Sequence, residues 1–277
     1  MKLSIITINR NNASGLKKTI ESVVTQSCTD FEYIVIDGAS TDESVDIIKS
    51  YSDKISYWVS ESDTGIYNAM NKGVLASYGE YTLMLNSGDY LVDKDVILTV
   101  IPLLDGTDIV QGNIIEEHGD ITNRNRGFGK SDISYFDIMK GFFLHQASFC
   151  KRSLFDKNGL FDENYKVIGD TKFFMTCLDK GNASFKYIDV DISNYDMSGI
   201  SAEVNTKWAE RKNLEDKMMR NELFSQRMNN FFEENEKKIK LYDKLRHKRW
   251  IWNFVMLITK LHDFIYTTEI FPKRETI

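Results

Sequence analysis

Residues 80–91 read EYTLMLNSGDYL, an apolar run that stops at Asn86 and places a single carboxylate, Asp89, beyond a glycine. Apolar side chains at successive positions predict a β-strand that is covered on both faces. Asn, Ser, Gly and Asp follow, and these are residues that turns favour. The stretch therefore predicts a buried strand of a covered sheet, with Asp89 on the turn at its carboxyl end.

Three similar apolar runs come earlier in the chain, and segments with helical spacing separate them. The predicted strands are Leu3–Ile8, Phe31–Gly38 and Ile55–Glu61, and the helices between them include Ser44–Ser50 and Gly65–Ser77. Strands that alternate with helices of this length are typical of βαβ units and a parallel sheet. The expected fold class is therefore α/β.

The pattern becomes irregular after about Asp108. Short strands are expected at DIVQGN and HQASFC, and a helix is expected at Thr171–Leu178. Beyond Ser201 the sequence has the composition of helices throughout. This change in composition predicts a domain boundary near Ser201, between residues 1–200 and a helical extension, residues 201–277. No Gly- or Pro-rich linker marks its position.

The charge is distributed unevenly along the chain. The 277 residues carry a net charge of -6, with -10 in residues 1–200 and +4 in residues 201–277. Nucleic-acid binding requires a basic face, so the acidic body predicts no nucleic-acid partner. It suits a site that holds a cation.

The three cysteines, Cys28, Cys150 and Cys177, are far apart and include no C-x-x-C pair. They indicate neither a disulfide framework nor a zinc site and fit a reducing compartment. The first residues are too polar for a signal peptide, and no stretch reaches the ~18 apolar residues of a spanning helix. The expected location is the cytoplasm.

Short polar or acidic side chains follow all four predicted strands. They are Thr7, Asn9 and Arg10; Asp37, Ser40 and Asp42; Glu61 and Asp63; and Asn86, Ser87 and Asp89. Each set alone is explained by the preference of turns for Asp, Asn and Ser. Ligands of open parallel sheets bind beyond the carboxyl ends of the strands, however, so four successive sets predict one binding site.

Glycine-rich phosphate loops are absent from the sequence, which has neither G-x-G-x-x-G after the first strand nor G-x-x-x-x-G-K-[ST]. A bound diphosphate would then need another support, and a divalent cation is the obvious one. Mg²⁺ and Mn²⁺ take oxygen ligands, often one or two carboxylates together with phosphate oxygens and water. We expect Asp89 to be that carboxylate.

Seven blocks, in their order and spacing, resemble family 2 of the inverting glycosyltransferases. They are SIITINRN, DGASTDES, DTGIYNAMNKGVLASYGEY, LNSGDYL, FFLHQASFCKRSLF, GLFDENYKVIGDTKFF and NYDMSGIS. The chain is most similar to the branch that acts on bacterial cell-surface polysaccharides. The resemblance implies a GT-A fold, with a Rossmann-like, mostly parallel sheet and a catalytic domain over residues 1–200.

The same resemblance implies a reaction and its substrates. A sugar would pass from a UDP-sugar donor to a hydroxyl of a saccharide or lipid-linked acceptor, in capsule, O-antigen or exopolysaccharide synthesis. The family's base matches Asp170, in VIGDTKF, and its acidic DxD-type motif matches Asn86 and Asp89, with Ser87 between them. Asp89 would hold Mn²⁺ or Mg²⁺ on the diphosphate.

Three further groups of residues acquire roles from the resemblance. Thr7, Asn9 and Asp37 would line the uracil and ribose pocket, with Asp37 accepting from the base. The ribose and diphosphate would lie near Asp63, Asn68 and Asn71. A block near the acceptor and donor sugar contains His145 and Gln146.

Two departures from the family pattern leave alternatives open. NSGD supplies one full charge where the family commonly has several carboxylates, and Gly169 stands where another acid often precedes the base. The chain could therefore be a non-catalytic nucleotide-sugar-binding or regulatory subunit. A sugar nucleotidyltransferase is disfavoured because TINRNNASG is a poor phosphate loop. Asp170 could simply cap a helix, and His145 could be a core residue.

The C-terminal arm carries an apolar stripe after the basic segment KLYDKLRHKRW. The stripe comprises Trp250, Phe254, Leu257, Leu261 and Phe264. Such a pattern is typical of a helix in a membrane interface, which would suit a lipid-linked acceptor at the inner face of the plasma membrane. Packing on the catalytic domain and pairing with a second subunit in a homodimer are the alternatives.

Overall fold

A computed structural model of the protein describes residues 1–118, 121–195, 206–235 and 257. Its strands form one mixed β-sheet that is flanked by helices. The strands are β1 (Leu3–Asn9), β2 (Phe31–Asp37), β3 (Tyr57–Ser60), β4 (Tyr81–Met84), β5 (Tyr90–Leu91), β6 (Ile109–His118), β7 (Ile121–Asn125), β8 (Ser148–Lys151) and β9 (Phe185–Tyr195). Their order is β3-β2-β1-β4-β8-β6-β9-β5, with β7 paired to β6. The α/β fold class is confirmed.

The helices are α1 (Ala13–Val24), α2 (Ser44–Ser50), α3 (Ile66–Ala76), α4 (Val96–Val100), α5 (Tyr135–Lys140), α6 (Ser153–Asn158), α7 (Gly169–Asp179) and α8 (Thr206–Leu223). The four strands predicted from the first hundred residues form the parallel part of the sheet, β3-β2-β1-β4. The later strands add both directions, because β8 pairs antiparallel to β4 whereas β9 runs parallel to β6.

Helices cover both faces of β1 and β2, which explains why these strands are buried at nearly every position, whereas the edge strand β3 is partly exposed. Ile5 belongs to the core cluster that also contains Leu16 and Ile20 of α1. Its neighbour Ile6 points to the other face, where α3 packs. Successive strand residues thus meet different helices.

The strand register aligns the carboxyl ends of three strands. Asn9 is paired with Asp37, and Asp37 is paired with Ser60. The last residues of β1, β2 and β3 therefore stand side by side, as the sequence predicts for a parallel sheet.

Stacked phenylalanines hold α7 in place. Phe173 stacks on Phe155 with 4.3 Å between ring centroids, and Phe174 stacks on Phe143 at 5.2 Å. Consecutive residues on α7 are thus fixed by partners on two sides, which orients its first turn.

The HQASFC segment divides between two elements. His145–Ala147 is a single 3₁₀ turn, and β8 begins only at Ser148. The predicted strand is therefore too long at its N-terminal end, where the turn places His145 beside the first turn of α7.

The chain divides into two units, residues 1–219 and 220–277. The boundary predicted near Ser201 lies in residues 196–205, outside the described residues, and stays a prediction. In the second unit, the Arg220 guanidinium lies 4.4 Å from the centroid of the Phe232 ring. Apart from Leu257, the apolar stripe also lies outside the described residues. No helix within the described ranges combines the length and apolarity needed to cross a bilayer.

We expect Gly73→Ala to destabilise the protein. A Cβ atom at Gly73 would lie 2.3 Å from Ile6 Cγ2, so α3 would have to move off the sheet. Overpacking of this kind typically costs about 1–3 kcal/mol of unfolding free energy. Urea denaturation measures it, with Leu75→Ala, at an exposed position of the same helix, as the control. Equal stability of Gly73→Ala and wild type would contradict the close approach.

Candidate active site

Asp37 lies at the end of β2 inside a closed hydrogen-bond network. Its Oδ1 accepts from Asn9 Nδ2 at 2.8 Å and Ser40 Oγ at 2.6 Å. Its Oδ2 accepts from the Ser40 N–H at 2.9 Å and Ser60 Oγ at 2.6 Å. A carboxylate offers about four lone-pair sites. Acceptance from a uracil base, as the resemblance implies, therefore requires one of these donors to leave.

The network also sets the charge of Asp37. Burial alone would raise the pKa of this carboxyl, but the hydrogen bonds from Ser40, Ser60 and Asn9 together lower it below the ordinary value. Asp37 is thus held as an anion by fixed donors at the edge of the sheet.

Asp63 approaches the same edge from the loop after β3. Its Oδ2 occupies the space beside Gly38, because a Cβ atom there would lie 2.2 Å away. Its Oδ1 accepts from the Gly65 N–H at 3.0 Å and lies 3.8 Å from Arg10 Nη1. Thr7 is fully buried, and its hydroxyl lies 3.0 Å from the Tyr33 hydroxyl.

Asn68 and Asn71 hold the loop that leads towards α7. The amide of Asn68 donates to both carboxylate oxygens of Glu163 at 3.1 Å. Asn71 donates to the Phe161 carbonyl at 2.9 Å and accepts from the Phe161 N–H at 2.9 Å. Their predicted place beside the ribose and diphosphate stays a prediction.

Thr19 of α1 holds the NSGD turn, residues Asn86–Asp89, through hydrogen bonds of its hydroxyl group. Thr19 Oγ1 donates to the Asp89 carbonyl at 2.7 Å and accepts from the Gly88 N–H at 2.9 Å. Gly88 has a φ of 108°, a conformation that favours glycine. The Ser87 N–H donates to the Ile8 carbonyl at 3.0 Å. The turn therefore starts at the edge where β1 ends.

Oxygen atoms in this turn fit a hard divalent cation. Asp89 is a carboxylate that is 4% exposed, and Asn86 Oδ1 is a buried oxygen without a hydrogen-bond partner in the described part of the chain. Within that part, no group of three or more His, Cys, Asp or Glu side chains could hold a metal. A cation here would depend on ligand oxygens and water for most of its coordination, as Mg²⁺ often does.

A chain of side-chain contacts links this turn to Asp170. Asn86 Nδ2 lies 3.2 Å from His145 Nε2, and His145 Nδ1 lies 3.0 Å from Asp170 Oδ2. Tyr67 donates its hydroxyl to Asp170 Oδ1 at 3.1 Å. A neutral His145 with its proton on Nδ1 satisfies both ring contacts. The chain connects α3, α7, the 3₁₀ turn and the end of β4.

The electrostatics of His145 and Asp170 are reciprocal. Burial alone would lower the pKa of His145, but the hydrogen bond and charge of Asp170, with a contribution from Asp89, raise it. Burial alone would raise the pKa of Asp170, but His145, the Thr171 N–H and Tyr67 lower it. Asp170 is therefore an anion at neutral pH.

Asp170 is not the N-cap of α7, so the alternative that it caps this helix is wrong. The N-cap of α7 is Ile168, and Asp170 lies inside the first turn. The positive end of the helix dipole favours a carboxylate there.

Gly169 makes room for Tyr67. A Cβ atom at Gly169 would lie 2.8 Å from Tyr67 Cε2, so any larger residue would displace the ring whose hydroxyl contacts Asp170. The glycine that replaces the family's usual acid thus brings a different neighbour to Asp170. Sequence reasoning missed Tyr67, which only its position one helical turn before Asn71 could have suggested.

Asp170 opens onto a cavity of about 400 Å³. His145 and Gln146 share its wall with the apolar residues Ile114, Phe143, Leu144 and Met175. The structure thus brings His145, Gln146 and Asp170 together at one cavity, and their roles there stay predictions. The residues lining this cavity include neither Asn86 and Asp89 of the turn nor Asp37, Asp63 and Asn68, so the turn is connected to Asp170 through His145 and not through the cavity wall.

We expect ionised Asp37 to stabilise the folded protein, so that the free energy of unfolding falls in acid. Its folded-state pKa is lowered, so its contribution is fully present above the ordinary value of 3.8 and is lost as pH falls through the folded pKa. Between pH ~5 and ~2, the unfolding free energy should fall more steeply for wild type than for Asp37→Asn. Denaturant titrations across this range measure both slopes, and parallel slopes would contradict the network.

Comparisons with known proteins agree with this architecture. The family model "Glycosyl transferase family 2" matches residues 4–159. A PGL/p-HBAD biosynthesis glycosyltransferase of Mycobacterium bovis (strain BCG / Pasteur 1173P2) is 31% identical over 202 residues, covering 71% of this chain and 77% of the relative.

Solved structures share the fold, among them TarS of S. aureus and a mannosyltransferase of Pyrobaculum calidifontis. S. aureus TarS 1-349 in complex with UDP-GlcNAc has a TM-score of 0.61 at 21% identity, covering 77% of this chain and 65% of that chain. The mannosyltransferase PcManGT from Pyrobaculum calidifontis, in complex with GDP-Man and Mn2+, has a TM-score of 0.58 at 16% identity, covering 76% and 60%. Each match spans less than two thirds of the solved chain. The family match over residues 4–159 and the mycobacterial relative show that the chain belongs to glycosyl transferase family 2 and is a transferase enzyme.

Proposed function

We propose that the protein is an inverting glycosyltransferase that moves a sugar from a UDP-sugar to a hydroxyl of a saccharide or lipid-linked acceptor, in bacterial capsule, O-antigen or exopolysaccharide synthesis. One observation carries the proposal: Asp170, a buried anion on a cavity wall, is joined through His145 to the turn that bears Asp89. A proton acceptor and a diphosphate-binding turn would then face one reaction centre.

Asp170 is the general base in this proposal. The acceptor oxygen attacks the anomeric carbon, its proton passes to Asp170, and the bond to the diphosphate breaks with its electron pair leaving on the diphosphate. The two carboxylate oxygens of Asp170 accept from Tyr67, His145 and the Thr171 N–H, so about one of their four lone pairs remains for the acceptor hydroxyl. General-base catalysis typically contributes about 10²–10⁴-fold in rate.

His145 and Tyr67 fix the orientation of the base. Both are donors to the ionised form, so they hold the carboxylate before the acceptor arrives and favour its anionic state. Because the reaction is a single displacement, no nucleophilic carboxylate is required.

The turn at Asn86–Asp89 would hold the diphosphate through Mn²⁺ or Mg²⁺. Asp89 and Asn86 Oδ1 are the oxygen donors proposed for the cation. When bound, the cation supplies a Lewis acid for the leaving diphosphate. The Mn2+ complex of PcManGT supports this class of cofactor, and the UDP-GlcNAc complex of TarS supports a UDP-sugar donor.

The proposed nucleotide site lies at the sheet edge with Asn9, Asp37 and Asp63. Ser40 or Ser60 would leave Asp37 when the base of the nucleotide binds, since all lone pairs of Asp37 are in use. The C-terminal stripe would bind the inner face of the plasma membrane, where a lipid-linked acceptor would lie. Pairing of two chains through the same stripe is an alternative.

We expect Asp170→Asn to lower sugar transfer by about 10²–10⁴-fold. Donor binding should persist, because Asp170 is not a proposed ligand of the nucleotide. Radiolabelled UDP-sugars with Mn²⁺ measure transfer, and thermal stabilisation by each donor measures binding. Asp30→Asn, at an exposed position, is the matched control. Donor binding without turnover in wild type would instead favour a non-catalytic nucleotide-sugar-binding subunit.

Gly169→Ala should lower the transfer rate at least as much as Tyr67→Phe. The methyl group displaces the Tyr67 ring, whereas the phenylalanine variant removes only the hydroxyl that contacts Asp170. Misplacement of a catalytic group by about 1 Å can cost about 10²-fold. Initial rates at saturating donor test this order, and wild-type rates in Gly169→Ala would contradict it.

A further inference from the structure

The segment that leads into the base is held by a carboxylate from α8, a helix that the sequence assigned to the extension after the catalytic domain. Glu215 Oε1 accepts from the Lys166 N–H at 2.8 Å. Its Oε2 accepts from the Val167 N–H at 2.9 Å and the Ile168 N–H at 3.2 Å. Three successive backbone donors thus converge on one side chain that is 1% exposed.

We propose that Glu215 is a positioning residue for Asp170, which rests on the proposed role of Asp170 as the base. Ile168 is the N-cap of α7, and Asp170 follows two residues later. The bond from Glu215 to the Ile168 N–H therefore fixes the point at which α7 begins, and with it the place of Asp170.

Arg211 completes the contact and compensates the buried charge. Its Nε lies 2.6 Å from Glu215 Oε1, and its Nη2 donates to the Asn164 carbonyl at 3.4 Å. A buried carboxylate is tolerated where it is paired and hydrogen-bonded, and here it has one cation and three N–H donors. Residues 164–168 are consequently fastened to α8 at both ends.

Asp170 is thereby held from two directions. Tyr67 of α3 contacts the carboxylate and packs against Gly169, while Glu215 of α8 holds the backbone just before it. Without Glu215, the N–H groups of residues 166–168 lose their acceptor, that of Ile168 in a buried bond and the other two in half-buried bonds, and the segment must rearrange to satisfy them. The start of α7 moves with them.

The position of α8 beside the cavity agrees with this role. Lys212, Asn213 and Asp216 line the cavity that Asp170 opens onto. Glu215 lies in the same stretch of α8 and accepts from the N–H groups of residues 166–168. Helix α8 is therefore part of the site in which the acceptor hydroxyl would meet Asp170.

The test compares Glu215→Ala and Glu215→Gln with Glu210→Gln, which changes an exposed glutamate of the same helix. We expect Glu215→Ala to lower kcat about 10–100-fold with the KM for the donor within about twofold of wild type. Glu215→Gln keeps the size of the side chain and one acceptor oxygen, so it should retain an intermediate kcat. Glu210→Gln should match wild type.

A double-mutant cycle separates positioning from general loss of stability. If Glu215 acts through Asp170, adding Glu215→Ala to Asp170→Asn should lower the residual rate by less than about twofold. Equal fold-losses in the two backgrounds, or an unchanged kcat in a folded Glu215→Ala, would overturn the proposal. Thermal unfolding of each variant shows that it is folded, and if Glu215→Ala is not, the same cycle with Glu215→Gln decides.

The same measurements distinguish this inference from the proposed function. An Asp170→Asn variant with wild-type transfer would remove Asp170 as the base and with it the proposed function. Asp170→Asn with the expected loss, combined with a fully active Glu215→Gln and Glu215→Ala, would remove only the role of Glu215.

Discussion

The contact between Asp170 and His145 is the interaction on which the candidate site depends. Burial alone would favour the neutral form of the Asp170 carboxyl. The His145 ring N–H keeps it ionised, together with the Tyr67 hydroxyl and the Thr171 N–H. The contact also joins two parts of the fold that are far apart in sequence. One nitrogen of the ring contacts α7, and the other contacts the end of the parallel sheet through Asn86.

The first hundred residues were predictable because most strands there, β1 and β2 above all, are buried on both faces. Local periodicity then reports the tertiary environment directly, and the four strand ends meet at one edge for purely geometric reasons. The later half lacks this regularity. β9 runs FKYIDVDISNY, with buried and exposed positions in no simple alternation, and its pairing with β6 contains register shifts. No local pattern could have placed it.

The site divides in the same way. Asp170, His145 and Gln146 were predictable because a resemblance names them, and the structure brings them to one cavity. The preference of turns for Asp also explains part of the environment of Asp37, because its carboxylate accepts from the Ser40 N–H as an Asp in a turn commonly does. Tyr67 and Glu215 were not predictable, because their roles rest on contacts with Asp170 and Ile168 that only the folded chain creates.

The contribution of α8 has a consequence for the order in which the protein becomes competent. The matched family region ends at residue 159, before Asp170, and the side chain that holds residues 166–168 comes at residue 215. During synthesis the parallel strands emerge and can pair first, while the reactive end of the molecule is completed only by a helix made later. In a growing chain, the strand ends that carry Asn9, Asp37 and Ser60 are therefore synthesised well before the helix that holds the segment next to Asp170.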